Sequence, residues 1–475
     1  MFGKQKTTLL LAGIFLFGSF AATAQESVKL SRQEALKMAL KYNTDILNSE
    51  LDLKMAQKKI WETTASGLPH VDGKGTYQHM FKVPTMSFGG GTELSGTEVP
   101  YDPVTMTGTM SKYTLQSGET IYLNALKGAD IQLGLPNYTT FDFTVSQLIF
   151  SGSYIVGLQA SKVYYGYTKQ NAEKTKLDII ETVVNTYNMI QLAVESKKIL
   201  SQNLENINKT LYEITEMNKQ GFVEKTDVDQ LELTGNTVRN AINQIESNLE
   251  LGYRLLKIQL GIEDSSKVEL TDLVETDDLL TKSSLTLINE PFNIDQNIDY
   301  QLINTSEKSA KLQLNLAKAS FLPTIAGYYN HTEKLKKPAF DFTPKDIVGV
   351  NLSFPIFSSG ERLSVVSQRK MALEKAQNTK KFVSSSLMVQ ATQFQSDLKL
   401  KLEKYQNQLK SKQLSEDIYQ RTLEKYKQGV SSSMDLMTSQ NQYLTNLTNY
   451  YQSIFDLQSA RSKLEKLYNI NQDVK

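Results

Sequence analysis

The chemistry open to this chain is narrow. It has no cysteine, and its three histidines, His70, His79 and His331, are scattered, which excludes disulfides, thiolate sites and a histidine-rich metal centre. It carries no phosphate-cradling glycine loop, no nucleophile elbow and no zinc-binding helix motif. No enzyme activity, cofactor or metal is expected. What remains is a pair of carboxylates in matching surroundings. Lys219-Gln220-Gly221 is followed by Asp227, and Lys427-Gln428-Gly429 by Asp435, with Tyr426 three residues before the second glycine. A carboxylate in the first turn of a helix is stabilised by free amides and the helix dipole, and that role alone accounts for both. Were several copies to meet around an axis, the same carboxylates would form an acidic ring that attracts cations and narrows an opening, with Tyr426 at the same level.

Such turns need long elements to carry them. Only 10 prolines occur among 475 residues, and none lies in 137–290 or 356–475. Proline breaks helices, so both stretches permit very long ones. Helices are predicted over 152–219 and 360–427, each about 100 Å at 1.5 Å per residue. Val183, Tyr187, Ile190 and Val194, then Leu200, Leu204, Ile207, Leu211 and Ile214, step by three and four, a coiled-coil seam. Shorter partners at 227–260 and 435–469 pack against them after the turns. The helices at 31–66 and 297–320 cover the remaining length, the first opened by a Ser31/Glu34 capping box.

Two-residue alternation marks strands at about 69–83, 138–150, 323–332 and 346–357. Val71, Gly73, Gly75, Tyr77 and His79 share one face, Asp72, Lys74, Thr76 and Gln78 the other. Each strand is thus apolar on one side and polar on the other. That pattern suits a half-buried soluble sheet, and equally a membrane barrel of 9–11-residue strands. Tyr77, Phe81, Phe141, Phe143, Tyr328, Tyr329, Phe354 and Phe357 suit its interfacial girdles. Four strands are too few to enclose a passage, so a barrel requires several chains.

The chain contains itself twice. Ala65-Ser66-Gly67-Leu68-Pro69 reappears as Ala319-Ser320-Phe321-Leu322-Pro323, an offset of 254. Ile149-Phe150-Ser151-Gly152 reappears near Ile356–Gly360, and the Lys-Gln-Gly turn at 219–221 reappears at 427–429, an offset of 208. The first copy therefore carries an insertion, expected as an external loop at 84–137. The domain plan is a first repeat over 25–260, a belt-like linker over 261–296 and a second repeat over 297–475. At the start, Lys4 and Lys6, an apolar run from Leu9 to Phe20 and Ala22-Thr23-Ala24 read as a secretory leader over 1–24. Later segments hold no apolar 18-mer, so any membrane span is a closed barrel. With 52 basic and 51 acidic residues, the chain has no general pull toward nucleic acid.

Together these features resemble TolC-type outer-membrane efflux proteins. The resemblance rests on the duplicated helix–strand–strand–helix plan and the Leu-Pro strand entries at 68–69 and 322–323. The turns 219–227 and 426–435 add the most specific signal. It implies a mainly α chain with transmembrane β structure: coiled-coil helices forming a periplasmic tunnel, and four strands given to a twelve-stranded barrel shared by a homotrimer. It also implies a passive duct opened by untwisting of the helix tips, carrying drugs, small molecules or proteins outward, as in tripartite efflux or type I secretion. Asp435, Asp227 and Tyr426 correspond to pore and gate positions. Gly221, Phe222, Val223, Gly429, Val430 and Ser431 correspond to turns that dock a periplasmic adaptor. An inner-membrane pump of the RND, ABC or MFS type would complete the assembly, and the barrel would meet outer-membrane lipid. Better-known relatives place arginine where this chain has Ser431, so an arginine latch is not expected. Without cysteine, the chain is not lipidated. The competing expectation is a secreted coiled-coil scaffold without a channel.

Overall fold

The computed structural model describes residues 28–88, 97–101, 108–114, 120–124, 129–132, 134–264, 266–272, 277–338 and 341–470. The expected leader at 1–24 lies outside them. In chain order the elements are β1 (Val28–Leu30), α1 (Arg32–Tyr42), α2 (Thr44–Ala65), β2 (His70–His79), β3 (Thr85–Phe88), β4 (Thr97–Tyr101), β5 (Gly108–Thr114), β6 (Thr120–Asn124), β7 (Ala129–Gln132) and β8 (Asn137–Ser151). There follow α3 (Gly152–Lys219), α4 (Lys225–Leu260), β9 (Val268–Leu270), α5 (Asp277–Ile288), α6 (Ile298–Ala319), β10 (Thr324–Lys334), β11 (Asp346–Ser353), α7 (Glu361–Lys427) and α8 (Ser433–Leu467). Among the described residues, no helix is long and apolar enough to cross a membrane.

The chain divides into two compact units. The first comprises Met1–Gln57, Val163–Ser309 and Glu374–Lys475, and the second Lys58–Lys162 and Ala310–Leu373. In the first unit, long helices pair around three apolar clusters. One gathers Leu398, Leu402 and Tyr405 of α7 with Leu457 and Leu464 of α8 and Leu280 and Leu287 of α5. A second joins Leu36 and Ala39 of α1 to Val183, Tyr187 and Ile190 of α3 and to Leu256 and Leu260 of α4. The third holds Leu200, Ile207 and Ile214 of α3 against Leu231 and Val238 of α4 and Tyr443 and Leu447 of α8. The expected seam is therefore buried, except at one position. Val194 is 42 % exposed, and Leu192 turns inward instead, to the α7–α8 cluster.

The first helix does not run unbroken from 31 to 66. Its capping box forms as expected, with Glu34 Oε2 accepting from the Ser31 amide at 2.8 Å. The helix then stops at Asn43, whose backbone is extended. The Asn43 amide nitrogen donates to Gln259 O at 2.9 Å, while its Oδ1 caps α2 through the Asp45 amide at 2.8 Å. A tertiary hydrogen bond and a fresh cap together outweigh one continued helical turn. In the second repeat, Asn297 donates to Leu467 O at 2.8 Å and caps α6 through the Tyr300 amide at 3.0 Å. The two asparagines are 254 residues apart and their acceptors 208, the offsets of the sequence repeat. Left-handed Gly261 and Asn469 also stand 208 apart.

Two further elements escape local patterning. Residues 28–30 form β1, which pairs in parallel with β9 in the linker. The segment 84–137, expected as a loop, holds an antiparallel pair, β3–β7, and a three-stranded sheet, β4–β5–β6. Its threonines, tyrosines and isoleucines favour extended backbone, and Pro100 sits on edge strand β4.

The second unit contains a four-stranded antiparallel sheet in the order β11-β10-β8-β2. One face carries Val71, Phe143, Val145, Val348, Val350 and Leu352, all exposed large apolar side chains. Phe141 and Phe143 lie over Gly75 and Gly73, whose missing side chains make room for the rings. The other face is polar: Thr144 donates to Asn330 at 2.7 Å and Thr332 to Asp142 at 2.6 Å. Tyr328 stands on this polar face, against Gly349, and so leaves the girdle expected for it. The last strand ends at Ser353 rather than 357. Pro355 lacks the amide donor that a longer ladder needs.

Candidate functional site: the paired tip turns

The α3–α4 and α7–α8 turns share one backbone design. Helix α3 closes with Gly221 at φ +80°, the Gly221 amide donating to Asn218 O at 2.9 Å and the Phe222 amide to Met217 O at 3.0 Å. Helix α7 closes with Gly429 at φ +74°, the Gly429 amide donating to Tyr426 O at 2.9 Å and the Val430 amide to Lys425 O at 2.9 Å. Positive φ at a helix end is where glycine is needed, and the six-to-one bond satisfies a free carbonyl. The residue after each glycine is thrust into solvent: Phe222 is 75 % and Val430 74 % exposed. Val223 folds back onto the α3–α4–α8 cluster, and Asn218 donates to its carbonyl at 2.6 Å.

The equivalent aspartates diverge. At the head of α8, Ser432 is an N-cap, and Asp435 completes its capping box. One oxygen of Asp435 accepts from the Ser432 hydroxyl at 2.7 Å, the Ser432 amide at 3.1 Å and the Ser431 hydroxyl at 3.3 Å. These bonds hold its carboxyl below the ordinary carboxylate range. At the head of α4 the capping position is Glu224, which makes no side-chain cap. Asp227 is therefore not claimed by its own turn. It accepts a hydrogen bond from the Ser433 hydroxyl and so links the two turns. Tyr426 packs against the same cluster beside this link. Burial pushes its phenol up, and the Asp227 charge adds to the shift.

The expected site residues thus converge on one small region, in different roles. Asp227 bridges, Asp435 caps, Tyr426 packs, and Phe222 and Val430 present apolar surface. Ser433, absent from the sequence reading, supplies the bridge; its hydroxyl side chain opposite an uncapped aspartate was the available signal. Among the described residues, no cluster of His, Asp and Glu is arranged to hold a metal ion.

Residues 297–469 match the family model for outer membrane efflux proteins. Solved structures share the fold along most of the chain. The outer membrane protein VceC of Vibrio cholerae is 13 % identical, covers 92 % of this chain and 95 % of its own, and superposes with TM-score 0.67. CusC, described with transmembrane channel formation, is 14 % identical, with 98 % of each chain covered and TM-score 0.70. The CmeC outer membrane channel of Campylobacter jejuni is 16 % identical, with 98 % of this chain and 94 % of its own covered and TM-score 0.68. No curated protein matches the sequence.

Proposed function

We propose that this chain, an outer-membrane efflux protein by family match and by fold, is one third of a passive export duct. The observation that carries the reading is the four-stranded sheet with one apolar and one polar face, and with β2 and β11 as edge strands. Three antiparallel steps separate these edges, so they run in opposite directions. A second copy can add its β2 to β11 and keep the sheet antiparallel throughout. Three copies of four strands then close a twelve-stranded barrel, wide enough for water, with the apolar face toward lipid. Closure also removes the open edges, which otherwise invite aggregation. The paired helices continue the passage into the periplasm, and polar lining and bore decide what passes.

Opening is assigned to the tips. The Ser433–Asp227 bond ties the two turns of one chain, and its loss frees α7 and α8 to move outward. A periplasmic adaptor docks on Gly221, Phe222 and Val223 and on Gly429, Val430 and Ser431, where two equivalent apolar side chains stand in solvent. An inner-membrane pump supplies the energy. Nothing in the two-faced strands serves the competing secreted scaffold.

In planar bilayers, detergent-purified protein should behave as a trimer and conduct poorly, and Ser433→Ala should raise its conductance several-fold. A monomer, or a chain that never conducts even with both Ser433 and Asp227 replaced by alanine, would overturn the duct.

The acid-ring idea has a cleaner test than removal of Asp435. Alanine at 435 also breaks the capping box, costing about 0.5–2 kcal/mol. Asp435→Asn keeps an acceptor for the Ser432 amide and deletes only the charge. Block of the released channel by multivalent cations should weaken at least tenfold in this variant; unchanged block would leave Asp435 as a helix cap alone.

A further inference from the structure

The polar face of the sheet is mostly open, with a covered end. Its strands leave the helices at Ser151, Thr324 and Ser353 and run to the connections 80–136 and 335–345. At that far end the last rung pairs Lys334 with Thr140. Lys334 is 9 % and Thr140 4 % exposed, whereas the residues below them on this face are half or fully exposed. A lysine at the rim of a sheet would normally extend into water. Lys334 instead lies on the polar side, in step with Asn330 and Thr332, and its ammonium donates to Asp341 Oδ1 at 2.5 Å.

Asp341 belongs to the β10–β11 connection. Its carboxylate also accepts from the Thr343 amide at 3.2 Å, which fixes the local turn. The base of the connection is clamped on the opposite face, where Lys345 donates to Glu333 at 2.8 Å. The Thr332 amide donates to Lys345 O at 2.7 Å, and the Leu335 amide to Thr139 O at 3.1 Å. A connection clamped at its base and drawn inward by an ion pair must lie over the polar face rather than stand away from it. The ion pair is well shielded, with side-chain exposures of 6 % and 21 %.

We propose that the β10–β11 connection is a strap across the outer mouth of the duct, held inward by Lys334 and Asp341, and that it sets the largest solute that can leave. The inference rests on the duct reading, in which the polar face lines the passage. Three straps around the axis give the trimer a second constriction, in series with the tips. Resistances in series make the order of the effects specific: releasing the strap does little while the tips are shut, and matters once they are open.

The test uses the full-length trimer in planar bilayers, with polyethylene glycols of graded size as excluded solutes. With Asp227 and Ser433 both replaced by alanine, Asp341→Asn or Lys334→Met should raise conductance about twofold or more and admit larger polymers. With the tip residues intact, the same changes should leave conductance unaltered. Lys334→Cys with Asp341→Cys gives a control that does not depend on the ion pair: oxidation should hold the narrow state and reduction should widen it. Equal conductance and equal polymer cut-off with strap held and released, in a tip-released channel that conducts, would overturn the strap alone. A tip-released trimer that does not conduct removes the duct, and the strap with it.

Discussion

Gly261→Val is expected to be among the most damaging single changes in the helical unit, lowering stability by about 3 kcal/mol or more. Gly261 ends α4 at φ +67°, a conformation that costs an L-residue roughly 1–2 kcal/mol by itself. A Cβ built there would also sit 2.6 Å from the carbonyl oxygen of Tyr42, a backbone atom held by the end of α1. Backbone cannot swing aside as a long side chain can, so the helices would have to separate. The two tip glycines supply the comparison. Gly221 and Gly429 share the positive φ, but nothing lies within 4 Å of a Cβ at either. Alanine at those positions should cost only the backbone strain, about 1 kcal/mol. Thermal unfolding followed by circular dichroism would separate the cases. Equal melting of Gly261→Ala and Gly221→Ala would show that the close approach to Tyr42 carries no energy.

The second large effect is expected from Tyr187→Phe. Tyr187 is 1 % exposed, and its hydroxyl donates to Leu30 O at 3.1 Å and accepts from the Asp272 amide at 3.4 Å. One oxygen thereby ties both segments of the β1–β9 pair to α3. Asp272 in turn accepts from the Arg32 amide at 2.7 Å, and its carbonyl from Gln191 at 2.7 Å. Deleting the hydroxyl leaves buried backbone groups without their partner, about 1–3 kcal/mol. The freed β1 should become the first site of limited proteolysis. Burial pushes the Tyr187 phenol up to about 12 from 10, so the neutral form is favoured in the folded state. Its contribution is therefore complete below pH 10 and is lost as pH rises through 12. Tyr443, also raised to about 12 by burial, behaves alike. The Tyr187→Phe variant should thus lose stability less steeply than the parent between these two values. Identical proteolysis and identical alkaline profiles would mean that the hydroxyl is not the tie.

Much of this protein was legible before any coordinates. The long helices over 152–219 and 360–427 follow from the absence of proline, the three-four apolar steps and the glycines beyond their ends, all of which are local. Two-residue alternation reports the strands for the same reason, because it records which side of a pleat a residue occupies. The repeat was legible as well, and its offsets of 254 and 208 recur in the asparagine bonds to Gln259 and Leu467. The outer-membrane character was likewise readable from the turn motifs and strand entries together, and the family match over 297–469 agrees with it.

What sequence alone decided, then, was every feature set by spacing along the chain: helix reach, strand faces, duplicate halves and the two glycine turns. Features set by competition between distant groups were decided only in three dimensions. Asn43 breaks a helix because Gln259 offers it an acceptor. Residues 28–30 become a strand because 268–270 lie alongside. Asp227 and Asp435 occupy equivalent positions, yet Ser432 claims one for its cap while Glu224 leaves the other to reach Ser433. Periodicity is a property of the chain, but a hydrogen bond goes to whichever partner folding brings within about 3 Å, and that choice is made only when the helices meet.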